Sequence, residues 1–260
     1  MTRNRINIIL ISIILIVIVL GGAFLNNRLS ITPKAIIETK INVCEDSIIR
    51  IGILGDSWAY NSVIFNFPYY IDSLLNNKQI KSYTSLIKGL PGAKSKDIYI
   101  WLKKNILDDP LKGYKYCILF CGLNDLHGQY GNNFYSQHTM YIIDYLLKHK
   151  VKPIIFEIPF TYHLNQYKTY PLWKRYAYTI LSLITSKNVD LDNLYNYRYA
   201  IEKTIDKINN DSIIYIKTDK YIDGTQNLYL DNIHINDRGY EYLGTIIFQT
   251  ILKDTHENSY

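Results

Sequence analysis

Short apolar runs alternate with longer amphipathic segments through most of the chain. The runs have the length and character of buried strands and cover residues 49–54, 82–88, 116–121, 152–157 and 212–216. The segments between them carry apolar side chains at helical spacing, which predicts helices at about 59–77, 94–106, 134–149, 172–187, 195–208 and 237–252. Strands that alternate with helices form βαβ units with right-handed crossovers. The pattern therefore predicts an α/β fold, a three-layer α/β/α sandwich around a five-stranded parallel sheet.

A different pattern begins the chain. Residues 6–25 are apolar apart from Asn7 and Ser12, and a helix of this length can cross the hydrocarbon core of a bilayer. The alternative, a buried core helix, is disfavoured because the stretch is apolar on every face and terminal. The two arginines in residues 1–5 predict that this flank stays in the cytoplasm and that the bulk of the chain lies outside. The segment is either an uncleaved signal anchor, which its length favours, or a signal peptide cut after the small residues 21–23.

Composition indicates one globular domain after this segment. The 260 residues are 48% hydrophobic and 20% charged, which is enough apolar material for a substantial core. Residues 26–47 are expected to be a linker, and residues 48–260 the domain. The net charge of +6 comes from scattered lysines and arginines, and the absence of a dense basic run argues against a nucleic-acid partner. Three cysteines do not make a disulfide framework, and Cys117 and Cys121 are predicted to be buried small hydrophobes.

The first apolar run ends abruptly at Gly55, Asp56 and Ser57. The carboxyl end of a buried strand is where open α/β sheets bind their ligands, so a serine hydroxyl is presented to the expected crevice. The surrounding sequence is not the G-x-S-x-G elbow of the α/β-hydrolases, because Ala59 stands where the second glycine should be. Ser57 is therefore either a nucleophile, if the chain supplies a base and oxyanion donors, or the N-cap of the following helix.

Two further strand ends carry groups that can hold an oxyanion. Gly89 and Gly92 precede a predicted helix, and glycines at such a place let backbone N–H groups face a negatively charged ligand. The strand that ends at Cys121 is followed by Gly-Leu-Asn-Asp, in which the side-chain amide of Asn124 can donate a hydrogen bond to an oxyanion. Each stretch is also compatible with an ordinary turn, where glycine and asparagine are common.

A histidine and a carboxylate precede the last predicted helix in the stretch Asp-Asn-Ile-His. Asp231 and His234 are three residues apart, so one helical turn is expected to bring them to the same side. The carboxylate can then hold one nitrogen of the imidazole while the other faces a serine. A metal site is a poor interpretation, because no third ligand of suitable type lies at a recognisable spacing. The other interpretation is a surface histidine near a helix cap.

Taken together, the order and placement of these motifs resemble the SGNH hydrolase superfamily, also called the GDSL esterases and lipases. The resemblance covers about residues 48–252 and rests on four stretches. Gly-Asp-Ser-Trp at 55–58 resembles the family's first sequence block, Gly-Leu-Pro-Gly-Ala-Lys-Ser at 89–95 the second, Gly-Leu-Asn-Asp at 122–125 the third and Asp-Asn-Ile-His at 231–234 the last. The resemblance implies that Ser57 is the nucleophile, with Asp231 and His234 as the other members of a catalytic triad. It also implies an oxyanion hole made of the backbone N–H groups of Ser57 and Gly92 and the side chain of Asn124.

Three features qualify the resemblance. Gly89 competes with Gly92 for the second-block glycine, and Gly92 is preferred because the Gly-Leu-Pro-Gly-Ala pattern before a helix fits the family better. The first block reads Gly-Asp-Ser-Trp, so the chain has no claim to the subgroup whose motif ends in leucine. His127 follows the third block and is expected to be a loop residue, with no role assigned.

The resemblance implies a serine esterase that forms an acyl-enzyme and needs no metal or organic cofactor. Its expected location outside the cytoplasm favours an acylated polysaccharide as substrate, and so a small-acyl carbohydrate O-deacetylase. A lipase, lysophospholipase, thioesterase or acyl transferase with the same triad is the alternative. A catalytically silent, membrane-tethered glycan-binding protein is the alternative from another class. The expected partners are the acylated substrate and the membrane, not nucleic acid.

Overall fold

The computed structural model of the protein describes residues 48–105, 109–128, 130–162, 171–174, 176–177, 191–218, 221–222 and 225–257. The predicted membrane-spanning segment and the linker after it lie outside these residues, as does most of the helix predicted at 172–187. Within the described part of the chain, no helix has the length and apolar character that crossing a membrane requires.

Five parallel strands form a single sheet, as the alternating pattern predicted. They are β1 (Ile49–Gly55), β2 (Ser82–Gly89), β3 (Tyr116–Phe120), β4 (Lys152–Phe156) and β5 (Ile214–Ile216). The strand order is β2-β1-β3-β4-β5, and every neighbouring pair is parallel. The order reverses between β1 and β3, and in open α/β sheets such a reversal opens a crevice beyond the carboxyl ends of the strands.

Helices connect the strands and follow the last one. They are α1 (Ser57–Ile64), α2 (Phe67–Asn76), α3 (Ser95–Lys104), α4 (Leu123–His127), α5 (Asn132–Lys148), α6 (Leu191–Ile208) and α7 (Asp237–Glu257). They pack as two groups: α2 contacts α1 and α7, whereas α5 contacts α3 and α6. The strands between them are apolar runs because buried parallel strands have no solvent face.

The prediction of one helix over residues 59–77 is wrong. The chain breaks between α1 and α2 at Asn66, whose φ of 54° lies in the left-handed region. Pro68 then stands in the first turn of α2, where the missing proline N–H costs no hydrogen bond. Two shorter helices therefore follow β1.

The central strands carry the core. Ile51, Ile53 and Ile118 are fully buried in β1 and β3. Cys117 and Cys121 are buried and unpaired, which confirms their prediction as small buried hydrophobes. The buried centre of the sheet thus ends at the Gly-Asp-Ser motif.

Candidate active site

Backbone hydrogen bonds join the loops that follow β1, β2 and β3. The N–H of Asp56 donates to the carbonyl of Phe120 at 3.0 Å, and the N–H of Leu90 donates to the carbonyl of Gly55 at 2.9 Å. A Cβ on Gly55 would lie 2.1 Å from the Phe120 carbonyl oxygen, so this close approach requires glycine. The ends of three strands are therefore held together around the Gly-Asp-Ser turn.

Ser57 is the first residue of α1, and the helix is capped by its neighbour. The Oδ1 atom of Asp56 accepts a hydrogen bond from the Trp58 N–H at 2.9 Å, which satisfies a free donor of the first turn. The alternative role of Ser57 as the N-cap is therefore not realised. Its hydroxyl instead lies 3.0 Å from Nε2 of His234.

Asp231 holds both the ring and the backbone of His234. Its Oδ2 atom lies 2.8 Å from the ring Nδ1, and its Oδ1 atom accepts the N–H groups of Ile233 and His234, both at 2.7 Å. The prediction that a helical turn joins the two residues is wrong. They lie in a loop before α7, where the aspartate side chain bonds to the backbone that follows it, the geometry of an Asx-turn.

The protonation state of this pair follows from its contacts. Partial burial raises the pKa of Asp231, but the hydrogen bonds from the His234 N–H, the His234 ring and the Ile233 N–H outweigh it and leave the pKa below its usual value. An ionised carboxylate only accepts, so the ring proton lies on Nδ1 of His234. In the neutral ring, Nε2 is then the acceptor that faces the Ser57 hydroxyl, which is the arrangement a general base needs.

The side chain of Asn124 contacts residues next to the other two predicted oxyanion donors. Asn124 lies in α4, and its Nδ2 atom is 3.0 Å from the carbonyl oxygen of Ala93 and 3.3 Å from Oδ2 of Asp56. Ala93 follows Gly92, and Asp56 precedes Ser57. The structure thus brings the second and third motifs to the turn that carries the serine.

Gly92 and Gly89 occupy different settings. Gly92 lies in the turn before α3 with a φ of 78°, a left-handed conformation that favours glycine. Gly89 ends β2, and a Cβ there would lie 2.6 Å from the Cα of Tyr60. Gly89 is therefore required for the packing of α1 against β2, which leaves Gly92 as the candidate second-block glycine.

The helix α4 also carries His127, to which the sequence assigned no role. His127 ends the helix α4, so its prediction as a loop residue is wrong. Among the described residues, no cluster of three or more histidine, cysteine, aspartate or glutamate side chains is placed to hold a metal ion.

The sequence reasoning missed a buried contact between Asp125 and Ser95. The backbone N–H of Ser95 donates to Oδ2 of Asp125 at 2.9 Å, its hydroxyl donates to Oδ1 at 2.6 Å, and both residues are fully buried. Burial raises the pKa of Asp125 to about 6, although the Ser95 hydrogen bonds oppose the rise. This contact fixes the start of α3, and so the Gly92 turn, against α4. The available signal was a carboxylate directly after Asn124.

Comparisons by sequence identify no relative. No family model matches the chain, and no curated protein matches it.

Comparisons by structure find solved proteins with a similar fold. An acetyl xylan esterase superposes with a TM-score of 0.57 at 16% identity, over 78% of this chain and 100% of its own. A family 3 carbohydrate esterase of Clostridium thermocellum gives 0.53 at 16% identity, over 80% and 98%. A lipase/acylhydrolase of Enterococcus faecalis gives 0.55 at 16% identity, over 78% and 95%. The chain shares its fold with these esterases and lipases.

Proposed function

We propose that this protein, which has the fold of the SGNH hydrolases, is a carboxylic ester hydrolase built as a three-layer α/β/α sandwich. One observation carries the proposal: Ser57 Oγ lies 3.0 Å from Nε2 of His234, and Nδ1 of the same ring lies 2.8 Å from Asp231. Side chains from two ends of the chain meet as nucleophile, base and orienting carboxylate. A purely structural role for Ser57 or for His234 does not require this chain of contacts.

In the first half of the reaction, Ser57 Oγ attacks the ester carbonyl while His234 Nε2 takes its proton. Asp231 stabilises the imidazolium that forms and keeps the ring in its orientation. When the tetrahedral intermediate collapses, the bond from the acyl carbon to the alcohol oxygen breaks. His234 gives its proton to the departing alcohol, and the acyl group remains on Ser57.

The oxyanion of the intermediate is held by the N–H groups of Ser57 and Gly92 and by the Asn124 amide. In the second half, His234 takes a proton from a water molecule that attacks the acyl-enzyme. The carboxylic acid leaves, and the proton returns to Ser57. Every proton transfer therefore passes through Nε2 of His234.

For the substrate, we propose a small acyl group on a carbohydrate, hydrolysed outside the cytoplasm by a membrane-anchored chain. The structural similarity to an acetyl xylan esterase and to a carbohydrate esterase supports this class. The apolar segment at residues 6–25 supports the location. Lipases share the same fold, so the acyl chain length is the quantity to measure.

The test is hydrolysis of p-nitrophenyl esters from acetate to palmitate by the full chain in detergent, with Ser57→Ala as the control. Preference for acetate, lost in the variant, supports a small-acyl esterase. Preference for long chains replaces it with a lipase or thioesterase. Equal rates in both proteins reject Ser57 as the nucleophile. No turnover of any ester, together with no labelling of Ser57 by a fluorophosphonate, rejects the hydrolase and favours a glycan-binding protein on this fold.

A further inference from the structure

The amide of Asn124 has a defined orientation in the structure. Its Nδ2 atom lies between two oxygen atoms, the carbonyl of Ala93 at 3.0 Å and Oδ2 of Asp56 at 3.3 Å. A backbone carbonyl accepts hydrogen bonds and never donates them. The Asp56 carboxylate behaves the same way when it is ionised, which means above about pH 7, because burial raises its pKa to about 7. Both neighbours therefore demand the NH₂ end of the amide. The opposite orientation would place the Asn124 oxygen against two acceptors.

Burial and hydrogen bonds hold Asp56 in the position that imposes this orientation. It is 2% exposed, its backbone N–H donates to Phe120, and its Oδ1 atom accepts the Trp58 N–H at 2.9 Å. These contacts leave Oδ2 as the atom directed at Asn124. Of the two hydrogen bonds from Nδ2 of Asn124, the longer is the one to Asp56, the residue before Ser57. The N–H group that makes this hydrogen bond is therefore the one that a second acceptor next to Ser57 can share.

We propose that Asp56 is a positioning residue for the oxyanion hole: it holds the Asn124 amide with its N–H groups, rather than its oxygen, toward the reacting carbonyl. This inference rests on the proposed function. It gives the carboxylate before the nucleophile a role separate from the cap of α1. The Asp56 side chain contacts the Trp58 N–H and the Asn124 amide rather than Ser57 or His234, so it acts through Asn124.

The isosteric change Asp56→Asn separates the two roles. An asparagine can still cap α1 through its oxygen, and Asn is among the best N-cap residues. Its NH₂ group then faces Asn124, whose amide must turn its oxygen toward it. Loss of one oxyanion donor costs about 10²–10³ in rate in other acyl-transfer sites, and we expect a fall of about 10² in kcat with little change in KM.

A double-mutant cycle with Asn124→Ala tests the route of the effect. If Asp56 acts through Asn124, then Asp56→Asn should lower kcat about 10²-fold in the wild-type chain but less than about threefold in the Asn124→Ala chain. The same factor in both backgrounds would mean that Asp56 acts independently of Asn124 and would overturn the proposal. No loss in the wild-type background would also overturn it. Ser62→Ala is the control, because Ser62 is fully buried in α1 and its hydroxyl donates to the carbonyl of Ala59 within the same helix.

A second readout does not depend on ester hydrolysis. The side-chain NH₂ resonances of Asn124, assigned by their loss in Asn124→Ala, should shift and exchange faster with solvent in Asp56→Asn and stay in place in Ser62→Ala. Unchanged resonances in Asp56→Asn overturn the positioning role. If the wild-type chain and Ser57→Ala are equally active, the proposed function fails instead, and the resonances still report on Asn124.

Discussion

At the scale of single residues, the two oxygen atoms of Asp231 have separate tasks. Oδ1 accepts two backbone N–H groups and shapes the loop, whereas Oδ2 holds the ring of His234. This division means that the loop and the tautomer can be perturbed independently. Asp231 is therefore central to the site although its side chain is 54% exposed.

Asp231→Asn should keep the loop and lose the chemistry. The asparagine oxygen can still accept both backbone donors, so its NH₂ group faces Nδ1 of His234. That contact requires an unprotonated Nδ1, which moves the ring proton to Nε2 and removes the base. We expect kcat to fall by about 10²–10⁴ with an unchanged thermal unfolding midpoint, measured by ester hydrolysis and circular dichroism.

Asp237→Asn is the matched control, since Asp237 lies in the same region and its side chain accepts a local hydrogen bond, from the Arg238 N–H. Its kcat should equal that of the wild type. An Asp231→Asn variant with wild-type turnover would show that the carboxylate does not control the tautomer.

At the scale of elements, the sequence predicts the strands but not every helix break and loop. The five strands were predictable because a buried parallel strand must be an apolar run. The break at Asn66 was not, because the apolar spacing continues across it and only Pro68 marked it. The loop of Asp231 and His234 was mistaken for a helical turn because a spacing of three residues suits both. Contacts such as Asp125 with Ser95 join residues far apart in sequence, which no local pattern reveals.

The contact between α3 and α4 should support both stability and rate. Ser95→Ala leaves Oδ1 of buried Asp125 without its hydroxyl partner, and an unsatisfied buried group costs about 1–3 kcal/mol. We expect the free energy of unfolding in urea to fall by about that amount. Turnover should fall as well, because the Gly92 turn is less well held.

Ser136→Ala provides the comparison, since Ser136 is also buried but its hydroxyl donates to a backbone carbonyl, at 3.3 Å, rather than to a carboxylate. It should cost less than about 1 kcal/mol. If both changes lower the free energy of unfolding equally, the hydrogen bond to Asp125 contributes no more to stability than the hydrogen bond of Ser136 to a backbone carbonyl.

At the scale of the whole molecule, buried carboxylates couple folding to pH. Burial raises the pKa of Asp56 to about 7, with the nearby charge of Asp125 adding to the rise and the Trp58 N–H opposing it. A carboxyl whose folded pKa exceeds its unfolded value stabilises the fold most below about pH 4, and this contribution is lost as the pH rises toward 7. Cys121 and Tyr240, which also interact with Asp56, have pKa values raised well above their usual values by burial, so they stay neutral in this range.

The stability of the wild type relative to Asp56→Asn should therefore decrease between about pH 4.5 and about pH 7.5, because asparagine does not titrate. Urea unfolding of both proteins at several pH values measures this difference. A difference that is constant with pH would mean that Asp56 has a similar pKa in the folded and unfolded chains. Asp231 acts in the opposite sense: its lowered pKa gives a contribution that is lost only as the pH falls below about 4.

The apolar segment at residues 6–25 predicts that the protein is attached to a membrane. If it is an uncleaved anchor, the full chain should sediment with membranes, resist a high-salt wash and be released by detergent. The intact mass of the protein should correspond to a chain that begins at residue 1 or residue 2. A released chain that begins after residues 21–23 would instead identify a cleaved signal peptide.

The central claim is that Ser57 is a nucleophile activated by His234. The most direct measurement is reaction of the full chain with a fluorophosphonate, followed by intact mass and peptide mapping. We expect one adduct, on Ser57, absent in Ser57→Ala and formed far more slowly in His234→Ala. An adduct on another residue, or no adduct on the folded wild-type chain, would contradict the account.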